Sequence, residues 1–390
     1  MSAFSFPPDG GKTERSPQGR PLIPAMVNVH SHAFQRDMRG AAERLSAASA
    51  GDDFWSWRRA MFDTVARLDP ESMGTVARAV YSEMVNAGYG AVGEFHYVHH
   101  QPDGTPYAEP NAIAIAVAEA AVEAGLEIVL LPAAYHRNGW RDGADVPPES
   151  GQRRFCDPEV ETFLARVDAL RDWASGRDGV HVGIAAHSVR AVPASWLSAI
   201  ARYADRHELV RHVHAQEQPR ELEQCRAEHG CSPLELLDRH GFLGPRTTVV
   251  HAIHVSDADV ELLARTRSIV AACPTTEANL GDGFLPALRY RDAGVRLAIG
   301  SDSNVRIDPF EETRELETIA RRLGVSRNGL LAHYGDLWAE LARNGAASLG
   351  IPADRMLEVD LDHPSIRGVA RDDLPYALAT CAEPGIVAPS

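Results

Sequence analysis

The chain has 390 residues, enough to bury a large core and to form a single α/β barrel of ordinary size. Its formal net charge of −15 argues against nucleic acid or an anionic membrane as a partner. Five scattered cysteines without a Cys-x-x-Cys pair are typical of reduced thiols, and no segment resembles a signal peptide or a membrane span. We therefore expect a cytoplasmic protein that binds neither nucleic acid nor membrane.

Short apolar segments alternate with amphipathic segments along most of the chain. The apolar segments predict eight strands, at 25–32, 91–95, 127–134, 181–188, 209–214, 247–251, 268–273 and 295–301. Helices are predicted at 69–85, 112–124, 159–174, 194–206, 220–229, 257–266 and 286–292. For the first of these helices, Asp69 suits the N-cap, Pro70 suits the first helical position and Gly88 follows the end.

This alternation predicts an α/β fold, a (β/α)8 TIM barrel over residues 25–345. A doubly wound sheet would favour a glycine-rich phosphate turn after the first strand, whereas this strand ends in histidines. The long connection that follows contains the sequence FWSW at 54–57. This segment could act as a lid over a site or anchor the loop by packing, and both interpretations stay open. The charged run at 311–315 is expected on a solvated helix face.

Polar side chains recur where the predicted strands end, the edge at which such barrels place their active sites. His30 and His32 are two residues apart, so both imidazoles point to the same face of the first strand. His214 ends the fifth strand and Asp302 follows the eighth. Three histidines and a carboxylate suit a catalytic zinc ion, so we predict His30, His32, His214 and Asp302 as metal ligands. His212 shares a face with His214 but lies one layer deeper, and it is assigned to packing or to support of a ligand.

At these residues the chain resembles a known family. The segments VHSH at 29–32 and HAQE at 214–217, His251 at the end of the sixth strand, and GSD at 300–302 are similar to the mononuclear deaminase branch of the amidohydrolase superfamily. Members with two metal ions commonly use a bridging carboxylated lysine from the barrel. The only lysine here is Lys12, before the first strand, so we expect one Zn²⁺ per subunit.

The resemblance narrows over residues 25–345. The motifs NVHSHAFQR at 28–36, FWSW at 54–57, GEFHY at 93–97, HSVR at 187–190 and CPTTEANLGDG at 273–283 look like the formimidoylglutamate deiminases of histidine degradation. The resemblance implies zinc-dependent hydrolysis of N-formimino-L-glutamate to N-formyl-L-glutamate and ammonia. It implies that Arg190 binds a substrate carboxylate, and that Gln35, Tyr97 and His187 also contact the substrate.

The chemistry of the residues agrees with these roles. Asp302 and His251 can accept the proton of a metal-activated water, and Glu217, three residues beyond His214, is placed to protonate the departing nitrogen. Arg190 offers a carboxylate two parallel hydrogen bonds. Each substrate residue also has an ordinary alternative: Arg190 as a salt-bridged rim residue, Tyr97 as barrel packing, Gln35 as a loop hydrogen-bond donor, and His187 as a support for Arg190.

The segments outside the barrel depart from the family pattern. Family members carry a small β-sandwich built from both flanks, whereas residues 1–24 are poor in strand signal and residues 346–390 keep little that reads as paired strands. A reduced or incomplete sandwich is expected, and the oligomer is expected to be a homodimer. Two other functions remain open: a related zinc deaminase acting on a nucleobase or another amidine, and a degraded barrel that binds metal or ligand without turnover.

Overall fold

The computed structural model describes residue 16, residues 19–43 and residues 54–388. In chain order the strands are β1 Leu22–Pro24, β2 Met26–Ser31, β3 Tyr89–His96, β4 Glu127–Ala134, β5 Gly139–Arg141, β6 Ala144–Val146, β7 Val180–Val182, β8 Ile184–Ser188, β9 Arg211–Ala215, β10 Thr247–His251, β11 Ile269–Ala272, β12 Arg296–Ile299, β13 Met356–Val359 and β14 Val387–Ala388.

Helices connect and cover these strands. They are α1 Phe54–Val65, α2 Pro70–Ala87, α3 Ala112–Glu123, α4 Val160–Ala174, α5 Ala194–His207, α6 Pro219–His229, α7 Pro233–Arg239, α8 Asp257–Thr266, α9 Pro274–Leu280, α10 Ala287–Ala293, α11 Pro309–Gly324, α12 Leu330–Tyr334, α13 Leu337–Leu349 and α14 Leu374–Leu378. Short 3₁₀ helices span Ala33–Met38, Ser150–Phe155, Arg371–Asp373 and Pro384–Ile386. None of the helices that the structure describes is both long and apolar enough to cross a membrane.

The nine strands from β2 to β4 and from β7 to β12 form a parallel barrel. They pair in the order β2-β3-β4-β8-β9-β10-β11-β12. Strand β7, which directly precedes β8 in the chain, also pairs with β4. A bridge between Ser31 and Asp302 brings the first and last segments together. Every residue of β2, β3, β9, β10 and β11 is buried, because helices cover the outside and side chains fill the inside of such a barrel.

The barrel prediction is confirmed, and all seven predicted helices are present within a few residues of their predicted bounds. Helix α2 begins as predicted: Ser72 N donates to the Asp69 side chain at 2.8 Å, Pro70 is the first helical residue, and Gly88 adopts φ +102°. The prediction for 311–315 was wrong at Glu312. This side chain is fully buried and accepts hydrogen bonds from the backbone N and the hydroxyl of Thr275.

Segments from both ends of the chain form a separate small sheet. Strand β13 pairs antiparallel with β1 and β14, in the register Ile23 to Leu357 and Val359 to Val387. Within the described ranges, this three-stranded sheet contains all the strands that the flanking segments contribute, and the incomplete sandwich stays a prediction. So does the division at residues 24 and 345; helix α13 continues to Leu349 and packs on β2 and β12.

Candidate metal centre and substrate cavity

Four predicted ligands converge at the carboxyl end of the barrel. The Nε2 atoms of His30 and His214 are 3.0 Å apart, and Asp302 Oδ1 lies 3.5 Å from His30 Nε2 and 3.3 Å from His32 Nε2. All four residues are buried. A set of imidazole nitrogens and a carboxylate oxygen at this spacing is a donor set that suits zinc.

Backbone pairing places Asp302 against the two histidines of the first strand. Asp302 N donates to His30 O at 2.9 Å, and His32 N donates to Asp302 O at 2.9 Å. Asp302 itself has a φ of +46°, a left-handed conformation that ordinary residues seldom adopt. Gly300 makes this approach possible, because a Cβ there would lie 2.8 Å from the Cβ and the carbonyl oxygen of His30.

A buried hydrogen-bond network holds the turn after β12. Asn28 donates to Ser301 Oγ at 2.7 Å and accepts from Ser301 N at 3.1 Å, while Ser301 donates to Asn304 Oδ1 at 2.7 Å. The Asn304 amide then donates to the backbone oxygens of His32 and Asp302 at 3.0 and 3.2 Å. The motif residue Asn28 and the turn residue Asn304 thus fix the left-handed backbone that presents the carboxylate.

The candidate ligand histidines are oriented so that metal binding through Nε2 is possible. His32 Nδ1 donates to Phe95 O and His214 Nδ1 donates to His187 O, each at 2.9 Å, so the Nε2 lone pairs face the centre. Burial lowers the pKa of His30 to about 3 and lowers the pKa of His32 and of His214, which keeps these imidazoles neutral. Although burial opposes it, hydrogen bonding to His30 and the nearby histidines hold the pKa of Asp302 below its usual range. The residues therefore fit a divalent metal ion.

His251 stands beside the ligand set among carboxylates. Its Nε2 lies 3.6 Å from Asp302 Oδ2 and 3.8 Å from Glu217 Oε1, and its Nδ1 lies 3.3 Å from Glu277 Oε1. Burial would lower the pKa of His251, but the charges of Glu217, Glu277 and Asp302 raise it to about 10. Burial and the charge of Asp302 raise the pKa of Glu217. His251 and Glu217, an imidazole and a carboxylate side by side with raised pKa values, are suited to proton transfer beside a metal ion.

A cavity of about 210 Å³ opens onto this centre. Its walls include every predicted catalytic and substrate residue: Gln35, Tyr97, His187, Arg190, Glu217, His251 and Asp302. Trp57 of the FWSW motif also lines it, while the side chains of residues 54–56 lie outside the described part of the chain. Whether this motif acts as a lid stays a prediction.

One wall of the cavity is aromatic. The rings of Tyr97 and Tyr135 pack edge-on against His187, with centroids 5.3 and 4.7 Å from it, and the His187 ring lies 5.1 Å from the His214 ring. Gln35 donates to the Tyr97 hydroxyl at 3.0 Å, and its Oε1 is buried without a hydrogen-bond partner among the described residues. The wall thus exposes a few polar atoms on a mainly apolar surface, a common feature of small-molecule sites.

Charged side chains from two elements, the loop after β8 and helix α6, also line the cavity. Arg190 lines the cavity, and its buried Nη1 has no acceptor within hydrogen-bond distance in the ranges that the structure describes. Glu221 of α6 accepts from Glu217 N at 3.3 Å, and burial with the charge of Glu217 raises its pKa to about 7. A buried guanidinium nitrogen without an acceptor points to an anionic ligand, since such a donor is costly to leave unpaired.

Sequence reasoning missed three residues of this site. Glu277 lies in the quoted motif at 273–283, but its contact with His251 depends on how α9 folds back over the barrel. Glu221 follows Glu217 by one helical turn, a spacing that could have indicated the same wall. Tyr135 follows the third predicted strand by one residue. His212 is where the sequence placed it, fully buried and with Nε2 3.3 Å from Ser348 O.

A parallel barrel with a histidine-rich donor set at its carboxyl rim is the architecture of metal-dependent barrel hydrolases. Comparisons with known proteins agree with this class. The family model described as "Amidohydrolase family" matches residues 22–353, and the chain belongs to that family. It is therefore a hydrolase by family.

Individual relatives support the same placement. The chain is 38% identical over 353 residues to a formimidoylglutamate deiminase of Pseudomonas aeruginosa, which covers 88% of this chain and 76% of the relative. A crystal structure of an amidohydrolase from Brucella melitensis superposes with a TM-score of 0.85 at 33% identity, over 94% of this chain and 84% of that one. An adenosine deaminase from Xanthomonas campestris with bound zinc gives 0.72 at 22% identity, over 94% and 77%, and this likeness shows the fold alone.

Proposed function

We propose that the protein hydrolyses N-formimino-L-glutamate to N-formyl-L-glutamate and ammonia with one zinc ion per chain. The observation that carries this proposal is the meeting of three features at one cavity: the candidate ligand set, of which His32, His214 and Asp302 line the cavity, the carboxylate of Glu217, and the Arg190 guanidinium with its buried Nη1 donor. The similarity to a formimidoylglutamate deiminase supports the choice of substrate. The homodimer and the cytoplasmic location stay predictions.

His30, His32, His214 and Asp302 would hold the zinc ion. When bound there, zinc supplies a water of lowered pKa and so a nucleophile at neutral pH. Asp302 and His251 flank this position and take the proton that the water loses. Three carboxylates favour the protonated form of His251. A zinc ion on the neighbouring ligands would oppose that preference through its positive charge, which would leave the imidazole able to accept a proton.

Glu217 handles the nitrogen that leaves. As a carboxylate it pairs with the cationic formimino group before attack, and as an acid it donates a proton to the terminal nitrogen afterwards. The oxygen of water forms a bond to the formimino carbon and gives one proton to Asp302 or His251. Its second proton passes to Glu217 and from there to the terminal nitrogen, the bond from the carbon to that nitrogen breaks, and the nitrogen departs as ammonia while the oxygen becomes the formyl oxygen. The raised pKa of Glu217 favours its protonated form, which the role as an acid requires.

Arg190 would bind a carboxylate of the glutamyl part, and Gln35, Tyr97 and His187 would contact the substrate beside it. Two parallel hydrogen bonds from the guanidinium fix both the position and the orientation of the anion. The proposal is tested by measuring ammonia release from N-formimino-L-glutamate, from simple amidines and from adenosine-type substrates. Turnover confined to the glutamyl substrate supports it; a preference for an aminated base would replace it with the related deaminase function.

A further inference from the structure

Arg137, in the loop after β4, is a buried cation outside the cavity whose five N–H donors all face acceptors. Its side chain is 3% exposed. Nε donates to Arg190 O at 3.2 Å, and Nη2 donates to Val189 O at 3.4 Å. Nη1 and Nη2 donate to the two oxygens of Glu228 at 2.7 and 2.9 Å, and Nη1 also donates to Asp145. This set of contacts is called the Arg137 clamp below.

The clamp joins two walls of the substrate cavity. Glu228 lies near the end of α6, the helix that carries Glu221 and begins directly after Glu217 and Gln218. Val189 and Arg190 lie in the loop after β8, on the other wall. Because Arg137 binds both with a rigid planar fork, it fixes the distance between the carboxylate-binding guanidinium and the residue that protonates the leaving nitrogen.

Two further contacts support the same loop. The backbone N of Arg137 donates to Ala191 O at 3.1 Å, and the backbone at Gly139 packs on the side chain of Arg190. A Cβ at Gly139 would lie 3.5 Å from Arg190 Cγ, and φ there is +136°, so glycine suits the position. Burial would lower the pKa of Arg137, but Glu228 and Asp145 raise it, so the fork stays charged.

We propose that Arg137 is a positioning residue that sets substrate length: by holding the Arg190 main chain against α6, it selects the glutamyl substrate over the shorter aspartyl analogue. This inference rests on the proposed function, in which Arg190 takes the carboxylate. In N-formimino-L-aspartate only the side-chain carboxylate lies one methylene closer to the formimino carbon, so the proposal assigns the side-chain carboxylate to Arg190. A guanidinium whose main chain is held by the clamp would not be reached by the shorter side chain, and this is the source of the discrimination.

Arg137→Lys and Glu228→Gln test the proposal, with Asp145→Asn as the matched control, since Asp145 contacts the same guanidinium but is 48% exposed whereas Glu228 is 13% exposed. For the two test variants, KM for N-formimino-L-glutamate should rise about tenfold with kcat nearly unchanged, and the preference over N-formimino-L-aspartate should fall by a similar factor. Asp145→Asn should change both quantities by less than about threefold. Glu228→Gln keeps the test valid if the lysine variant does not fold.

An equal loss of kcat/KM on both substrates, or an unchanged KM in both test variants, would overturn the proposal. Calorimetry of N-formyl-L-glutamate binding to the zinc-loaded protein separates this inference from the proposed function, because it needs no turnover. If the wild type binds this dicarboxylate but releases no ammonia from any substrate, the function fails. The clamp is then judged by binding alone, with about tenfold weaker affinity expected in the test variants and unchanged affinity contradicting it.

Discussion

The Nε2 atoms of His30 and His214 lie 3.0 Å apart, although 184 positions separate the two residues in the chain. Because His214 Nδ1 donates to His187 O, its Nε2 carries a lone pair, and two imidazole nitrogens this close need a proton or a cation between them. Burial favours neutral rings at both positions, which makes a divalent metal ion the better partner. Strands β2 and β9 thus bring their histidines to one candidate ligand set.

Removal of a ligand should remove the metal. For His32→Ala, we expect bound zinc to fall from about one ion per chain to a small fraction, because the remaining donors leave the coordination incomplete. Metal analysis after dialysis measures this. His212→Gln is the matched control, since His212 lies on the same strand as His214 but contacts Ser348 instead. Zinc retained by His32→Ala, or lost by His212→Gln alone, would contradict the ligand assignment.

Glu217 should be needed for turnover and not for metal binding. Glu217→Gln keeps the shape and loses the transferable proton, so kcat should fall by about 10²- to 10⁴-fold while zinc content stays the same. Steady-state kinetics and metal analysis on the same preparation measure both quantities. Glu223→Gln, an exposed neighbour on α6, should leave kcat unchanged. A Glu217→Gln enzyme with near-normal kcat would rule out the proton-transfer role.

Arg190 should affect substrate affinity more than the chemical step. In Arg190→Ala the lost charge-assisted hydrogen bonds, worth about 1.5–3 kcal/mol, should raise KM for N-formimino-L-glutamate by about 10- to 100-fold. Arg202→Ala, at an exposed position of α5, controls for the loss of one positive charge. Full activity of Arg190→Ala at low substrate concentration would show that another group binds the carboxylate.

Glu94 should make stability depend on pH. Its side chain is buried and accepts from Ala33 N at 2.7 Å, and burial raises its pKa from the ordinary value of 4.5 to about 7. Between these two values the folded state binds more protons than the unfolded state, so stability falls as pH rises from about 4.5 to 7 and is then constant for this group.

In Glu94→Gln this contribution disappears. The melting temperature should therefore fall less between pH 5 and pH 8 than in the wild type, by the amount that the rise of the Glu94 pKa from 4.5 to about 7 contributes. Thermal unfolding followed by circular dichroism at several pH values measures the difference. Glu119→Gln, an exposed position on α3, is the control and should keep the wild-type pH dependence. Identical pH dependence in Glu94→Gln would contradict the assignment.

The barrel, and the convergence of the four candidate ligands at its rim, could be predicted because both follow from local pattern. Apolar runs give the strands, and the period of two places His30 and His32 on one face while it separates His214 from His212 by one layer. The carboxyl end of each strand is the functional rim in this fold, so residue position along a strand already indicates a role.

What escaped prediction depends on long-range contacts. Glu312 reads as part of a solvated charge run, yet it is buried because its carboxylate binds Thr275 from another segment. Glu277 reaches His251 across 26 positions, and Arg137 reaches Glu228 across 91. The left-handed backbone at Asp302 depends on Asn28 and Asn304, which only the folded chain brings together.

The identity of the products tests the central claim most directly. Zinc-loaded protein is incubated with N-formimino-L-glutamate, and ammonia, N-formyl-L-glutamate, L-glutamate and formamide are quantified together. Attack of water with departure of the terminal nitrogen predicts ammonia and N-formyl-L-glutamate in equal amounts, and neither after the zinc is removed. Formation of L-glutamate with formamide, or no product from this substrate at all, would contradict it.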